Sequence, residues 1–363
     1  MSAGMDGRMV RTVAASASRR LRLLWIGMAF LATLVFAGFY AGRTEAQSGD
    51  PIGILLAAGD IAGCHQSTDK HAEMAAQIQK EIDAAGSLPV GILVLGDVAY
   101  AARVDEKVVP GTYQPCFESF KASWGAHKER LFPVPGNHDY SDDIPAGKPA
   151  KKTNVRARMY KEFFSDRILD LKKASGNPVD PADKGLSFAT RFPAGQSDGW
   201  LLVGMNFYGS EIEPKPWLAK QLAAPAPRCA LVFTHPFYAS SGDHGGGKNY
   251  DKMARLMPVL HQQGATVLVS GHDHVLEQFV KLDGTGKPDA AKGVRSFVVG
   301  TGGANLYPEF TKHPHSEYFS NKSRGFLKLT LYRDGYKWSF VAVDGPKVEL
   351  PVGGETCNRK PPA

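Results

Sequence analysis

Five short segments of this chain share one arrangement, in which a polar side chain follows directly after an apolar run. They are Gly59-Asp60-Ile61-Ala62, Gly96-Asp97-Val98-Ala99-Tyr100, Gly136-Asn137-His138-Asp139, Val232-Phe233-Thr234-His235 and Gly271-His272-Asp273-His274. The apolar runs are typical of strands, and a polar residue after a strand points off the end of the sheet, where α/β proteins bind ligands. The sequence therefore predicts that these side chains meet at one sheet edge.

Each segment alone has an ordinary structural explanation, because Gly-Asp after a strand is usually a turn and Asn-His is usually a hydrogen-bonded loop. Taken together, they supply two Asp, one Asn and three His at successive strand ends. That set of oxygen and nitrogen donors is sufficient for two metal ions. The joint pattern predicts a two-metal site.

The pattern over residues 47–363 indicates a single α/β domain. Apolar runs at 52–58 and 90–95 flank a helical stretch at 70–85, which is the strand–helix–strand pattern of a parallel sheet. From Arg295 onward the pattern is strand-rich. Further helices are predicted at 117–130, 155–173 and 252–263.

Residues 1–46 are predicted to be a targeting segment. Several Arg residues precede an apolar run at 23–40, and positive charge before an apolar core is typical of an export signal. The small residues Thr44 and Ala46 favour cleavage after Ala46, although the run is long enough for a retained transmembrane anchor. In both cases residues 47–363 are expected outside the cytoplasm, secreted, periplasmic or anchored, with membrane contact only through the N-terminal segment.

The net charge of +7 does not indicate a nucleic-acid partner. Part of it lies in the predicted targeting segment, and the remaining charges are mixed in sign without a long block of like charge. The basic stretch 148–158 is interpreted as a solvated loop and helix face. A small phosphorylated substrate is the expected partner, with no nucleic acid.

The chain has four cysteines, and an even number permits disulfides in an exported protein. They are Cys64, Cys116, Cys229 and Cys357. Three pairings are open, and free buried thiols are an equally good interpretation. None of the cysteines has Cys-x-x-Cys spacing, which disfavours a zinc–thiolate site.

The five segments resemble, in order, the motifs of the calcineurin-like metallophosphoesterases and, within them, of the purple acid phosphatases. Those motifs are Gly-Asp-x-Gly, Gly-Asp-x-x-Tyr, Gly-Asn-His followed by Asp or Glu, Val-x-x-His and Gly-His-x-His, and the chain departs only from the first. The resemblance covers most of residues 52–306. It implies an α/β fold, a metallophosphoesterase-type αββα sandwich with a single catalytic domain.

The departure is Ala62, which stands where the purple acid phosphatases have Gly and most other relatives have a His ligand. Ala cannot bind metal, and Tyr100 matches the phenolate that takes over this role in the purple subgroup. The resemblance implies a ferric ion held by Asp60, Asp97, Tyr100 and His274. It implies a second, divalent ion, iron, zinc or manganese, held by Asp97, Asn137, His235 and His272, with Asp97 bridging the two.

The resemblance implies hydrolysis of phosphate esters, and acid phosphomonoesterase activity is the first expectation. His138 would contact the phosphate and help to protonate the leaving group, with Asp139 orienting it, and His244 is a second candidate for this work. Residues 141–185 and 241–250 are expected to wall the pocket. Because pocket loops determine which ester is accepted, phosphodiesterase or nucleotide phosphohydrolase activity is an alternative. An alternative of another class is a non-catalytic envelope protein that binds metal.

Overall fold

The computed structural model describes residues 49–147, 157–174, 185–208, 214–223, 227–246, 248–307, 311–351 and 353–358. The predicted targeting segment, with its apolar run at 23–40, lies outside these residues. Within the described ranges, no helix combines the length and the apolar character needed to cross a membrane.

The regular elements of the described chain are mostly strands. In chain order they are β1 (Gly53–Ala58), β2 (Val90–Val94), β3 (Arg103–Val104), β4 (Lys107–Val108), β5 (Leu131–Pro133), β6 (Phe188–Phe192), β7 (Trp200–Met205), β8 (Ala230–Thr234), β9 (Ala239–Ser240), β10 (Lys248–Asn249), β11 (Val267–Ser270), β12 (Leu276–Phe279), β13 (Arg295–Val299), β14 (Ser316–Ser320), β15 (Gly325–Leu331), β16 (Gly335–Ala342) and β17 (Gly353–Thr356). The helices are α1 (His71–Ala84), α2 (Tyr113–Ala122), α3 (Asn137–Ser141), α4 (Arg158–Lys173), α5 (Pro214–Ala223), α6 (Asp251–Ala254) and α7 (Met257–Gln262), with a 3-10 helix at Trp124–Arg130.

Two mixed sheets contain most of these strands. One has the order β17-β16-β15-β1-β2-β5, and the other has the order β14-β12-β13-β11-β8-β7-β6. The strands that precede the predicted ligands run parallel within each sheet, β1 with β2 and β2 with β5 in the first, and β8 with β11 in the second. Their carboxyl ends therefore lie at a common edge. A backbone hydrogen bond of 3.0 Å from Gly59 N–H to the Val299 carbonyl joins the ends of the two sheets there.

The core lies between the sheets and is closed by helices on both sides. Leu55 of β1 and Phe233 of β8 belong to one buried cluster, to which α1 contributes Ile78. On the outer face of the second sheet, Leu260 of α7 packs in another buried cluster. Central strands that are covered on both faces are expected to be apolar throughout, as β1 is. The layer order helix, sheet, sheet, helix confirms the predicted αββα sandwich.

Two disulfides give the cysteine pairing that the sequence left open. Cys64 pairs with Cys116, at a Cα–Cα distance of 5.4 Å, and Cys229 pairs with Cys357, at 5.1 Å. The first joins the loop after β1 to α2, and the second joins the start of β8 to the end of β17. The interpretation as free thiols is wrong.

The predicted helices are present in the structure, but two of them are each divided into two shorter helices. The stretch predicted at 117–130 begins earlier, as α2, and is interrupted at Ser123, after which it continues as a 3-10 helix. The stretch predicted at 252–263 is divided into α6 and α7, and Pro258 lies in the first turn of α7. A proline has no N–H to donate, so it is tolerated at the start of a helix and not inside a longer one. The described part of the helix predicted at 155–173 begins at Arg158.

Candidate metal centre

Three of the predicted ligands lie at strand ends where the backbone enters the left-handed region. The φ angles are 63° at Asp60, 49° at Asp97 and 74° at His272. For residues other than glycine this conformation costs on the order of 1–3 kcal/mol, and such strain persists where the surrounding structure fixes it, often at functional sites. Gly136 allows the third segment to approach, because a Cβ there would overlap the Asp97 carboxylate. The strand-end turns thus aim the side chains at one another at a cost in stability.

One group of side chains gathers around the Tyr100 hydroxyl. Its oxygen lies 2.8 Å from Asp60 Oδ1 and 3.0 Å from His274 Nε2. Those two atoms are 3.2 Å apart. All three side chains are buried or nearly so. A carboxylate, a phenol and an imidazole thus converge on one small volume.

A second group gathers around the His235 ring. His235 Nε2 lies 3.1 Å from Asn137 Oδ1 and 3.2 Å from Asp97 Oδ2. One ligand atom each of Asp97, His235 and His272 lies within 4.8 Å of the others. Asp97 also connects this group to the first one, since its Oδ2 is 3.4 Å from the Tyr100 hydroxyl. One carboxylate oxygen therefore lies between the two groups.

The atoms that face away from the cluster are occupied by backbone groups. His235 Nδ1 is 2.7 Å from the Leu95 carbonyl, so it donates there and leaves Nε2 as the donor atom for a metal. His274 Nδ1 likewise bonds to the Asn305 carbonyl. Outer partners of this kind fix the tautomer of metal-binding imidazoles.

The two carboxylates are oriented in the same way. Asp60 Oδ2 accepts the His272 backbone N–H at 2.9 Å, and Asp97 Oδ1 accepts the His138 backbone N–H at 2.8 Å. In each case the other oxygen faces the cluster. The donor set and its orientation fit two cations.

In the second group, Asp97 and His235 shift each other's pKa through their opposite charges. Burial alone would raise the pKa of Asp97, but His235 and His138 outweigh it and hold that pKa well below its usual value. Burial alone would lower the pKa of His235, but Asp97 outweighs it and raises that pKa to about 9. Each of the two groups thus favours the charged form of the other across the 3.2 Å contact.

His272 and Tyr100 respond mainly to burial. Burial, with repulsion from His235, lowers the pKa of His272 to about 3, so this ring is a neutral donor. Burial, with the charges of Asp60 and Asp97, raises the pKa of Tyr100 well above its ordinary value. A phenolate at this position needs a neighbouring cation to stabilise it.

Ala62 takes part in the site only through its backbone. It is fully buried, and its carbonyl accepts the Tyr100 N–H at 3.1 Å. A parallel bridge also pairs Ala62 with Ala99. The residue that replaces a potential ligand thus holds in place the segment that carries Tyr100.

His138 lies beside the first group but is oriented by a residue that the sequence did not suggest. Its ring packs against Tyr100 with 4.7 Å between ring centroids. Its Nδ1 is 2.8 Å from Asp142 Oδ2, and the Asp142 side chain is fully buried. Asp139 was expected in that role, but it accepts hydrogen bonds from Val98 N–H and the Tyr113 hydroxyl instead. Because Asn137–Ser141 forms α3, residue 142 comes one helical turn after His138, a spacing that could have identified Asp142.

His244 lies beside the second group. Its ring centroid is 4.6 Å from that of His272, and its Nδ1 is 2.9 Å from Asp273 Oδ1. Asp273 is fully buried and also accepts the His244 backbone N–H. The structure thus brings both histidines that the sequence proposed as catalytic, His138 and His244, to the cluster.

Aromatic rings cover the cluster. Tyr307 stacks on His274 with 3.9 Å between centroids and an interplanar angle of 6°. The ring centroid of Tyr208 lies 5.9 Å from that of His235 and 6.1 Å from that of Tyr140. Tyr307 and Tyr208 belong to neither of the two segments predicted to wall the pocket. Parts of those segments lie outside the described residues, namely 148–156, 175–184 and residue 247.

Comparison with protein families and curated proteins agrees with this arrangement. The family model for calcineurin-like phosphoesterases matches residues 54–276. Human tartrate-resistant acid phosphatase type 5 is 24% identical over 279 residues, which cover 72% of this chain and 78% of the human protein. The mouse protein of the same name is 26% identical over 208 residues, covering 54% of this chain and 58% of its own length.

Solved structures share the fold at low sequence identity. A purple acid phosphatase from yellow lupin (Lupinus luteus) matches with a TM-score of 0.60 and 14% identity, covering 86% of this chain and 54% of its own. GAP50, the anchor in the inner membrane complex of Plasmodium, matches with a TM-score of 0.55 and 16% identity, covering 86% of this chain and 90% of its own. The chain thus spans just over half the length of the mouse and lupin proteins. Because one fold occurs in a phosphatase and in an anchor, the likeness shows the fold alone.

Proposed function

The chain belongs to the calcineurin-like phosphoesterase family, and from this premise we propose that it is an exported acid phosphomonoesterase of the purple acid phosphatase type. Membership in the family makes it a metal-dependent phosphoester hydrolase with a binuclear metal centre. The proposal adds the class of ester, the metals, the residues and the compartment.

The observation that carries the proposal is the position of Asp97 Oδ2, 3.4 Å from the Tyr100 hydroxyl and 3.2 Å from His235 Nε2. A carboxylate between two donor groups suits a bridging role in a two-metal site. In the proposed assignment Asp60, Asp97, Tyr100 and His274 hold Fe(III), and Asp97, Asn137, His235 and His272 hold a divalent ion of iron, zinc or manganese. A phenol in the first group and a neutral amide and imidazoles in the second support ions of different charge.

When bound, the two cations would neutralise the phosphate ester and activate the attacking water. The chain's own part is to supply protons from fixed positions. As the imidazolium, His138 donates its Nδ1 hydrogen to Asp142 and can give its Nε2 proton to the leaving-group oxygen, which leaves the neutral Nδ1–H imidazole. His244, held by Asp273 in the same way, is the second candidate for proton transfer.

The proposed location is outside the cytoplasm. Two disulfides support an oxidising compartment, as does the predicted N-terminal export segment. The proposed substrate is a small phosphorylated molecule, and no nucleic-acid partner is proposed.

The test is elemental analysis of the purified protein together with its visible spectrum. We expect two metals per chain, at least one of them iron, and a violet band from the ferric phenolate. Tyr100→Phe should remove the band, whereas Tyr307→Phe, which keeps the ring stacked on His274, should retain it.

The class of ester is tested on the same samples with p-nitrophenyl phosphate and bis-p-nitrophenyl phosphate at acid pH. Faster turnover of the monoester is expected. A folded protein without stoichiometric metal would overturn the proposal, and preference for the diester would replace monoesterase by diesterase activity.

A further inference from the structure

A short hairpin carries a basic side chain to the edge of the proposed active site. Strands β3 and β4 are joined by Asp105 and Glu106, whose φ angles of 46° and 61° are those of a tight two-residue hairpin turn. The strand β3 begins with Arg103. None of the strand-end motifs includes this residue.

A buried carboxylate holds Arg103 and His138 together. Arg103 Nη2 donates to Asp142 Oδ1 at 2.7 Å, and His138 Nδ1 donates to Asp142 Oδ2 at 2.8 Å. The Ala101 backbone N–H also donates to Oδ2, at 3.1 Å. Arg103 Nη1 donates to the Glu106 carbonyl at 3.1 Å, which ties the side chain to its own hairpin. The guanidinium therefore has a fixed position.

The guanidinium keeps donors for a further partner. A guanidinium has five N–H groups, and the contacts with Asp142 and Glu106 use two of them. Among the described residues, Arg103 Nε has no acceptor, and the side chain is about one-third exposed, at 34%. The remaining donors are therefore available to a bound anion.

The position of Arg103 relative to the ligand cluster indicates what it reaches. Its Nη2 lies 3.1 Å from His138 Nδ1, and the His138 ring in turn packs on Tyr100. Arg103 hydrogen-bonds to none of the described metal-ligand candidates. It therefore lies one side chain farther from the cluster than His138. Because His138 is proposed to protonate the leaving-group oxygen, a substrate group that reaches Arg103 would belong to the leaving group rather than to the phosphoryl group.

We propose that Arg103 is a specificity-determining residue that binds a second anionic group on the leaving-group side of the substrate. The inference rests on the proposed phosphomonoesterase function. The guanidinium fork matches the geometry of carboxylate and phosphate oxygens, and its fixed position reduces the entropy lost on binding. Substrates of this class are phosphomonoesters whose leaving group carries a further negative charge.

The test compares two substrates that differ by one carboxylate, 3-phosphoglycerate and glycerol 3-phosphate, on the metal-loaded full chain. We expect the wild type to prefer 3-phosphoglycerate. Arg103→Gln should reduce the ratio of the two kcat/KM values about tenfold, mainly because the carboxylate-bearing substrate acquires a higher KM. Arg103→Lys should keep part of the preference, because the charge remains and the fork is lost.

The matched control is Lys107→Gln, which removes a cation from the same hairpin. Arg103 pairs with Val108 and Lys107 pairs with Val104, so the two cations lie on opposite faces of the ribbon. This variant should keep the wild-type ratio. Melting curves of all variants show whether the hairpin change affects folding.

An unchanged ratio in both Arg103 variants would overturn the inference, as would an equal loss in Lys107→Gln. If the wild type hydrolyses neither of these molecules nor p-nitrophenyl phosphate, the proposed function fails. In that case, or if only p-nitrophenyl phosphate is hydrolysed, calorimetric binding of the same two molecules decides the role of Arg103. Tighter binding of 3-phosphoglycerate that Arg103→Gln abolishes would support the inference, and equal binding of both molecules would overturn it.

Discussion

Two histidine–aspartate pairs lie against the ligand cluster, one beside each group of donors. In both, a buried aspartate holds the imidazole through Nδ1, Asp142 at 2.8 Å from His138 and Asp273 at 2.9 Å from His244. Both rings pack on a proposed ligand, His138 on Tyr100 at 4.7 Å and His244 on His272 at 4.6 Å. The arrangement of aspartate, histidine and proposed ligand is therefore the same beside both groups of donors.

The surroundings of the two pairs differ. The His138 side chain is 20% exposed and belongs to α3, whereas the His244 side chain is 43% exposed and lies in a loop. His138 also has the Arg103 guanidinium beside it. Water can replace an exposed imidazole more easily than one enclosed by protein, so the two histidines are expected to differ in their contribution to turnover.

The largest expected effect is that of His138→Ala. Loss of a positioned general acid typically reduces the rate by about 10²- to 10⁴-fold, and we expect kcat to fall by at least about 10²-fold. The metal content should stay at the wild-type level, because His138 is not a proposed ligand. Steady-state kinetics and elemental analysis on one preparation check both statements. Unchanged kcat would show that another group protonates the leaving oxygen.

A smaller effect is expected for His244→Ala. Because this side chain is 43% exposed, solvent can take over part of its role, and we expect a loss of about tenfold in kcat/KM. A third pair of the same chemistry supplies the control, His261 of helix α7 with Asp289 at 3.1 Å. His261→Ala should leave the kinetics unchanged. Equal losses in His138→Ala and His244→Ala would contradict the difference between the two sides.

The features that the sequence predicted are those determined by local pattern. A Gly-Asp or Gly-His pair after an apolar run predicted strand ends. The structure brings Asp97 and His272 together there, and Asp60 accepts a hydrogen bond from the His272 backbone. The αββα layers followed from strand–helix–strand periodicity and from the resemblance. The interruption of a predicted helix at Ser123 was missed, because the helical periodicity of the sequence continues across it.

Most of the residues that the sequence missed act through contacts between distant parts of the chain. The spacing of four residues from His138 could have identified Asp142. Asp273 orients His244 from 29 residues away, and no local pattern predicts that contact. Arg103 reaches the site because a hairpin turns there, and Tyr307 reaches it because its backbone N–H bonds to the His274 carbonyl. Such placement depends on tertiary structure.

The last prediction concerns stability rather than turnover, and it uses Glu277→Gln to test how the His244 side is anchored. Glu277 is buried, and its carboxyl oxygens accept the backbone N–H of Ser241, at 2.8 Å, and the Ser241 hydroxyl, close to the start of the loop that carries His244. Burial, assisted by the nearby charge of Asp273, raises the pKa of Glu277 from 4.5 to about 7.

The folded state therefore holds the Glu277 proton more tightly than the unfolded state, so the contribution to stability is complete below pH 4.5 and is lost as the pH rises to about 7. The shift corresponds to at most about 3 kcal/mol, and Glu277→Gln, which stays neutral, should remove that part of the pH dependence. Urea unfolding across this pH range measures the effect, with Glu118→Gln, an exposed carboxylate paired with Lys121, as the control that should keep the wild-type dependence. A Glu277→Gln variant with the wild-type slope would show that the carboxyl ionises equally in both states.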